Sequence, residues 1–300
     1  MPGQPPSPLT RATLTRRAFL AASILTPTAI LLYSNVHGRH ELEITHRTFF
    51  LANLPPAFEG FRIVQISDIH LDEYTEAGFL ERVLRHVNAL APDLVLLTGD
   101  FVSKGPRHHS VAIRAAGQCG ELLRAIACPL RYAILGNHDV DVDGPAVADH
   151  LRTTGTPVLI NQYVPIERAG QRIWIAGLDD AAKGHPDLSV AIPTKPDGPV
   201  ILMAHEPDYA DTIAAHPRGR SVNLVLSGHS HGGQVRLPFL LPLMLPPMGK
   251  IYYEGLYRLD RMQLYVNRGI GTVGVPFRFN CPPEITVATL KPVVRAEAPL

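Results

Sequence analysis

The sequence predicts an α/β protein, and three observations carry that expectation. Short runs rich in Val, Ile and Leu recur along the chain, segments with a helical spacing of apolar residues separate several of them, and 46% hydrophobic against 18% charged residues over 300 positions supplies a sizeable core. That balance excludes disorder as the general state. No internal repeat and no proline- or glycine-rich linker divides the body, so residues 41–300 read as one domain behind a leader, residues 1–40.

The strands come first. Residues 61–67 (FRIVQIS), 93–98 (DLVLLT), 131–135 (RYAIL), 172–176 (RIWIA), 200–204 (VILMA) and 222–227 (VNLVLS) are about the length of buried strands and have their composition. Between them, residues 76–90 place Phe79, Leu80, Val83, Leu84, Val87 and Leu90 at helical spacing, and residues 111–126 are similar. Residues 263–268 and 284–290 read as further strands joined by turns.

The leader differs from the body. It holds Arg11, Arg16, Arg17 and Arg39 and no acid, and the adjacent Arg16-Arg17 precedes an uncharged run from Ala18 to Tyr33. That layout predicts export by the twin-arginine machinery to the periplasm or cell envelope. The run is short of the about 20 residues of a comfortable membrane span, so the leader is read either as a cleaved signal or as an inner-membrane anchor. Over the whole chain the net charge is only +1, which points to no nucleic-acid-binding surface. Cys119, Cys128 and Cys281 form no CxxC pair, so any metal must be held by histidine and oxygen.

The residues at the end of each strand carry the chemistry. Asp68-Ile69-His70 comes after the first run, Gly99-Asp100 after the second, Gly136-Asn137-His138-Asp139 after the third, His205 after the fifth and Gly228-His229-Ser230-His231 after the sixth. Functional groups gather at the carboxyl ends of strands in α/β sheets, so five loops are expected to build one site. Asp68, His70, Asp100, Asn137, His205, His229 and His231 make seven donors, too many for one ion and suited to two that share a carboxylate. A pair of divalent cations, Mn, Fe or Zn by the donor set, acidifies a bridging water to hydroxide and spreads the charge of in-line displacement at phosphorus. Hydrolysis of phosphate mono- or diesters is the implied reaction. His138 is the candidate proton donor to the leaving alkoxide, with Asp139 expected to orient it, and Asn137 and His138 are the candidate substrate contacts. Gly232 and Gly233 either let the backbone approach the metals or substrate, or serve a tight turn.

These motifs, DxH, GD, GNHD, a single His and GHxH in that order over residues 61–235, resemble the signature of the calcineurin-like metallophosphoesterases. GHSHGGQVRLP, LYVNRGIGTVGVPFRFN and PPEITVATL are similar to the exported bacterial branch called YkuE-like, which extends the likeness over nearly all of 41–291. The resemblance implies a four-layer α/β/β/α sandwich of two facing mixed sheets. It also implies that Asp68, His70, Asp100 and His231 hold one metal and Asp100, Asn137, His205 and His229 the other.

Two rival functions stand beside the simple phosphoesterase. One is a hydrolase of a lipid-linked pyrophosphate of the UDP-diacylglucosamine type at the membrane surface; the other is a membrane-attached binding module with structural metals. The first draws on residues 237–248 (LPFLLPLMLPPM), uncharged and holding four prolines, which form either an apolar patch at the mouth of the site or a lid packed on the core. Tyr252, Tyr253 and Tyr257 are candidate interfacial anchors or packing residues. Arg107-His108-His109 and Arg278 are candidate contacts for a phosphate.

Overall fold

Strands whose two faces are both apolar must be covered twice, and this chain does so by stacking two sheets and flanking them with helices. The structure is a computed structural model that describes residues 28–71, 74–103, 109–242 and 244–293. Arg16, Arg17, Arg107 and His108 lie outside the described residues. A helix, α1, covers 28–36, and among the described residues no helix is long and apolar enough to cross a membrane.

The first sheet has the order β1-β11-β2-β3-β4, formed by β1 (Glu43–Leu51), β2 (Arg62–Ile66), β3 (Leu94–Thr98), β4 (Arg131–Ile134) and β11 (Glu284–Pro292). The second has the order β5-β6-β7-β8-β10-β9, formed by β5 (Gln162–Arg168), β6 (Gln171–Gly177), β7 (Val200–Met203), β8 (Val222–Ser227), β9 (Gly255–Leu259) and β10 (Met262–Val266). Both are mixed: β2, β3 and β4 run parallel while β11 opposes β2, and β6, β7, β8 and β10 run parallel between antiparallel edges.

Alternation along each strand sorts the core into layers. Ile63, Leu94 and Leu96 point from the first sheet toward Ile173, Ile201, Met203, Leu224 and Leu226 of the second. Val64, Ile66, Val95 and Leu97 point the other way, onto α2 (Ala77–Ala89), α3 (His109–Leu123) and α4 (Asn137–Thr153). Leu202 and Val225 meet α5 (Leu188–Ala191) and α6 (Ala210–Ala215) on the far face. The result is the expected α/β/β/α sandwich. Three strands, β1, β5 and β9, and the helices α4, α5 and α6 are absent from the pattern read in the sequence. The GNHD segment, expected as a loop, instead opens α4, which is interrupted where Asp143 is extended (φ 179°) just ahead of Pro145.

Candidate metal centre

All seven predicted donors converge where the carboxyl ends of β2, β3, β4, β7 and β8 meet. Two buried groups, Asp68/His70/His231 and Asp100/His205/His229, each bring three ligand atoms within 4.8 Å of one another. The turns that do this are strained. Asp68 (φ 51°), His70 (46°), Asp100 (57°), His229 (72°) and His231 (50°) all sit in the left-handed region, at about 1–3 kcal/mol each for a residue with a Cβ. Interlocking hydrogen bonds hold these turns: the Asp68 N–H donates to the Gly99 carbonyl (3.0 Å), the His70 N–H to the Asp100 carbonyl (3.1 Å) and the His229 N–H to the Asp68 carboxylate (2.9 Å). Gly136 is required by close approach, since a Cβ there would lie 2.3 Å from Asp100 Oδ1.

The outer nitrogens of the rings decide which nitrogen faces inward. His205 Nδ1 donates to the Thr98 carbonyl (2.6 Å), leaving Nε2 to point at Asp100 Oδ2 from 3.1 Å. His229 Nε2 donates to the Pro247 carbonyl (2.8 Å), leaving Nδ1 beside Asn137 Oδ1 (2.9 Å). His70 Nδ1 meets Ser103 Oγ, and its Nε2 faces both Asp100 Oδ2 (3.6 Å) and His231 Nε2 (3.0 Å). Ser103, the Thr98 carbonyl and Pro247 are partners that the sequence motifs do not identify; only Ser103, three residues beyond Asp100, leaves any trace in the sequence.

Burial pushes His70 down to about 3 against the opposing charge of Asp100, and burial together with the charge of His205 pushes His229 down to about 4, so both rings are neutral and offer lone pairs. Burial also pushes Asp68 up to about 6. Against its own burial, Asp100 is held well below the usual carboxylate range by His205 and His138, and His205 well above the usual imidazole range by Asp100. The donor set fits cations. Two imidazole Nε2 atoms facing one another at 3.0 Å beside carboxylates are reconciled by a shared positive charge, and a cation takes the place of the proton between His205 and Asp100.

His138 and Asp139 part company. The His138 ring is partly exposed, lies edge-on to His70 (4.9 Å between centroids) and meets no hydrogen-bond partner among the described residues, while its N–H donates to Asp100 Oδ1 (2.9 Å). Asp139 does not take the expected role of orienting His138; its fully buried carboxylate accepts instead from the backbone N–H groups of Phe101 (2.9 Å), Val102 (3.2 Å) and Gly136 (3.0 Å). The reason is the helix start: as the third residue of α4, Asp139 turns back to the helix entrance and to the loop after Asp100, fastening two ligand loops together.

Other candidates resolve differently. Arg278 is fully buried and spends its guanidinium on the carbonyls of Arg268, Gly269, Gly271 and Cys281, with Nη2 3.3 Å from His231 Nδ1, so it braces the loop behind His231. Gly232 (φ 59°) and Gly233 (φ 78°) serve the turn, a Cβ on Gly233 lying 2.2 Å from Pro242. Tyr252 hydrogen-bonds Asp211 (2.9 Å) and packs edge-on against Tyr257, whose hydroxyl accepts from the Tyr253 N–H (3.3 Å). His109 opens α3, exposed.

A cavity of about 380 Å³ opens above the donors, floored by Asp100, Asn137, His138, His229 and His231 and walled by Gln234, Met244, Leu245, Pro246 and Val273. The loop after His231 is therefore split: Met244 to Pro246 form a wall, while Phe239, Leu240 and Leu241 project outward. A larger hollow of about 690 Å³ lies where β7, β8 and β10 begin, and no metal donor lines it.

Residues 61–233 match the family model described as calcineurin-like phosphoesterase. The chain is 40% identical over 278 residues to the uncharacterized metallophosphoesterase YkuE of Bacillus subtilis, covering 91% of this chain and 93% of that one. It is 28% identical to phosphodiesterase YaeI of Escherichia coli (92% and 99% covered) and 27% identical to UDP-2,3-diacylglucosamine pyrophosphatase LpxG of Chlamydia muridarum (92% and 96%). With two buried donor groups facing each other across one carboxylate and a sequence match that spans them both, this chain belongs to the calcineurin-like phosphoesterases and is a hydrolase of phosphate esters that uses two divalent metals.

Proposed function

We infer that Asp68, His70, Asp100 and His231 hold one cation and Asp100, Asn137, His205 and His229 the other, and that the cavity above them binds a phosphate mono- or diester. The observation that carries this reading is the position of Asp100 Oδ2, 3.1 Å from His205 Nε2 and 3.6 Å from His70 Nε2, facing both halves. Bound cations supply charge for the phosphoryl oxygens and an acidified water as nucleophile. The imidazole and carboxylate donors suit Mn, Fe or Zn.

The chain's own part is positioning. Thr98 and Pro247 fix the tautomers of His205 and His229, and Asp139 keeps the Asp100 loop on the start of α4. Asn137 presents its carboxamide at the cavity, and His138, whose ring has no hydrogen-bond partner among the described residues, delivers a proton to the leaving alkoxide. Metal-stripped protein restored with each ion in turn, then assayed on p-nitrophenyl mono- and diesters, tests the reading: turnover should require two metals per chain and vanish in Asp100→Ala. Retained turnover in a folded Asp100→Ala protein would refute it.

The wall of Met244, Leu245 and Pro246 favours a second substrate reading, a lipid-linked pyrophosphate like the one in LpxG's name. Strong preference for detergent-dispersed glycolipid over nitrophenyl esters selects it. Export by the twin-arginine route to the periplasm or cell envelope rests on Arg16, Arg17 and the apolar run after them. Replacing both arginines by lysine should retain the protein in the cytoplasm.

A further inference from the structure

Helix α1 is inside out. Its residues that pack on the body are polar or small: Ser34 is buried, its carbonyl accepting from the Arg278 N–H (3.1 Å), and the Asn35 carboxamide donates to the Pro276 carbonyl (2.9 Å). Its apolar residues face away, with Leu31 52%, Leu32 60% and Val36 67% exposed and Ile30 and Tyr33 beside them. A helix at a protein–water boundary has the reverse arrangement. Such a helix is written for apolar surroundings.

A second apolar strip lies against the same piece of chain. The Arg236 N–H donates to the Phe279 carbonyl (2.9 Å), and Gln234 Nε2 donates to the carbonyls of Val273 and Val275 (3.1 and 3.0 Å). Residues 273–279 are therefore gripped by α1 on one side and by Gln234–Arg236 on the other. Directly after Arg236 the chain exposes Leu237, Phe239, Leu240 and Leu241, Phe239 completely. The outer strip runs on into Met244–Pro246, which wall the metal cavity, and α1 is joined through Pro276 and Arg278 to the segment that begins at Val273, another wall of it.

We propose that these two strips together seat the protein on the surface of a lipid bilayer, with the cavity mouth at headgroup depth. Three features select a bilayer over a protein partner. The uncharged run that begins at Ala18 ends at Tyr33 inside α1, so the exposed residues of the helix are the last part of an apolar stretch of sequence. Residues 237–253 hold no carboxylate and one exposed base, Lys250, of the sign that anionic phospholipid attracts, while Arg39 beside α1 is neutralised by Glu76 (2.6 Å). The prolines at 238, 242, 246 and 247 stiffen the outer strip, so little chain entropy is lost when it inserts. A phosphoester carried by a lipid then meets the centre without leaving the membrane; this last step rests on the phosphoesterase reading, whereas the docking does not.

The test uses the full chain and vesicles of phosphatidylglycerol and phosphatidylethanolamine. The triple substitution Phe239→Ser/Leu240→Ser/Leu241→Ser should weaken sedimentation with vesicles by about tenfold or more, leaving turnover of a soluble nitrophenyl diester unchanged. Independently, Phe239→Trp in a Trp174→Phe background should be quenched by brominated lipid, and this decides the matter should the triple variant fail to fold. Equal vesicle binding by the triple variant, or an unquenched Trp at 239, overturns the proposal. So does a dimer that the triple variant abolishes, which would make a second copy the occupant. Loss of soluble-diester turnover through Asp100→Ala alone leaves vesicle binding intact, which separates failure of docking from failure of the catalytic reading.

Discussion

The floor of the cavity and its lip serve one cavity, yet they are built by opposite rules. Beneath the floor the metal donors are locked by backbone hydrogen bonds from neighbouring strand ends, and five of the buried ones, Asp68, His70, Asp100, His229 and His231, hold left-handed backbone conformations. The lip is apolar, proline-rich and turned outward, with Leu241 78% exposed. Strain is tolerated on the floor because a fully packed sandwich over-determines it. The lip asks for no such support, which teaches that chemistry is fixed by the sheets and the choice of what reaches it is left to loops.

Breaking the floor should have the largest effects. Asp100→Asn, which weakens the one carboxylate facing both donor groups, should lower kcat by about 10³-fold or more and drop metal content below two per chain by elemental analysis. His138→Gln should lower kcat by about 10²-fold or more on an alkyl ester, whose leaving group needs a proton, and far less on a nitrophenyl ester, with both metals retained. Equal losses on the two esters would refute the proton-donor role. Asp139→Asn puts an amide against three N–H donors and should cost about 1–3 kcal/mol, read as a lowered unfolding temperature; its activity loss should be similar on both esters, as befits a residue that only positions others.

Acid offers a finer cut. Asp68 in the metal-free protein is pushed up to about 6 by burial, and a protonated carboxyl is no ligand. Metal affinity of the Asp68/His70/His231 group should therefore be level above about 6 and fall about tenfold per pH unit below it, as measured by competitive chelation. On the lip, Leu241→Ser should change stability by less than about 0.5 kcal/mol and leave soluble-ester turnover as it was. A large loss of either would show that the lip is part of the fold's foundations and erase the contrast.

The same contrast explains how much the sequence discloses. β2, β3, β7 and β8 are covered on both faces, so they read as largely apolar runs, and every donor except Asn137, which follows the edge strand β4, is found at the point where such a run ends. The three strands that pass unread, β1, β5 and β9, are all sheet edges. An edge strand pairs on one side only and carries charge or proline, as in EITHRTFFL and QYVPIER with its Pro165, which dilutes the apolar signal. α4 escapes because Asn137-His138-Asp139 and the break at Asp143 interrupt its periodicity. Asp139 shows the limit most clearly: its partners at 101 and 102 are backbone amides, identical in every residue but proline, and nothing in their letters announces them.

The hydrogen bond from His229 to the carbonyl of Pro247 ties lip to floor. Eighteen residues separate the two, and the bond consigns Nε2 to the loop so that Nδ1 alone turns inward. The loop is thus no detachable accessory. Anyone swapping it for a cousin's, to change what the enzyme accepts, would be redesigning an imidazole's protonation as well, and a graft that omits that one carbonyl would hand the centre a ring with its proton on the wrong side.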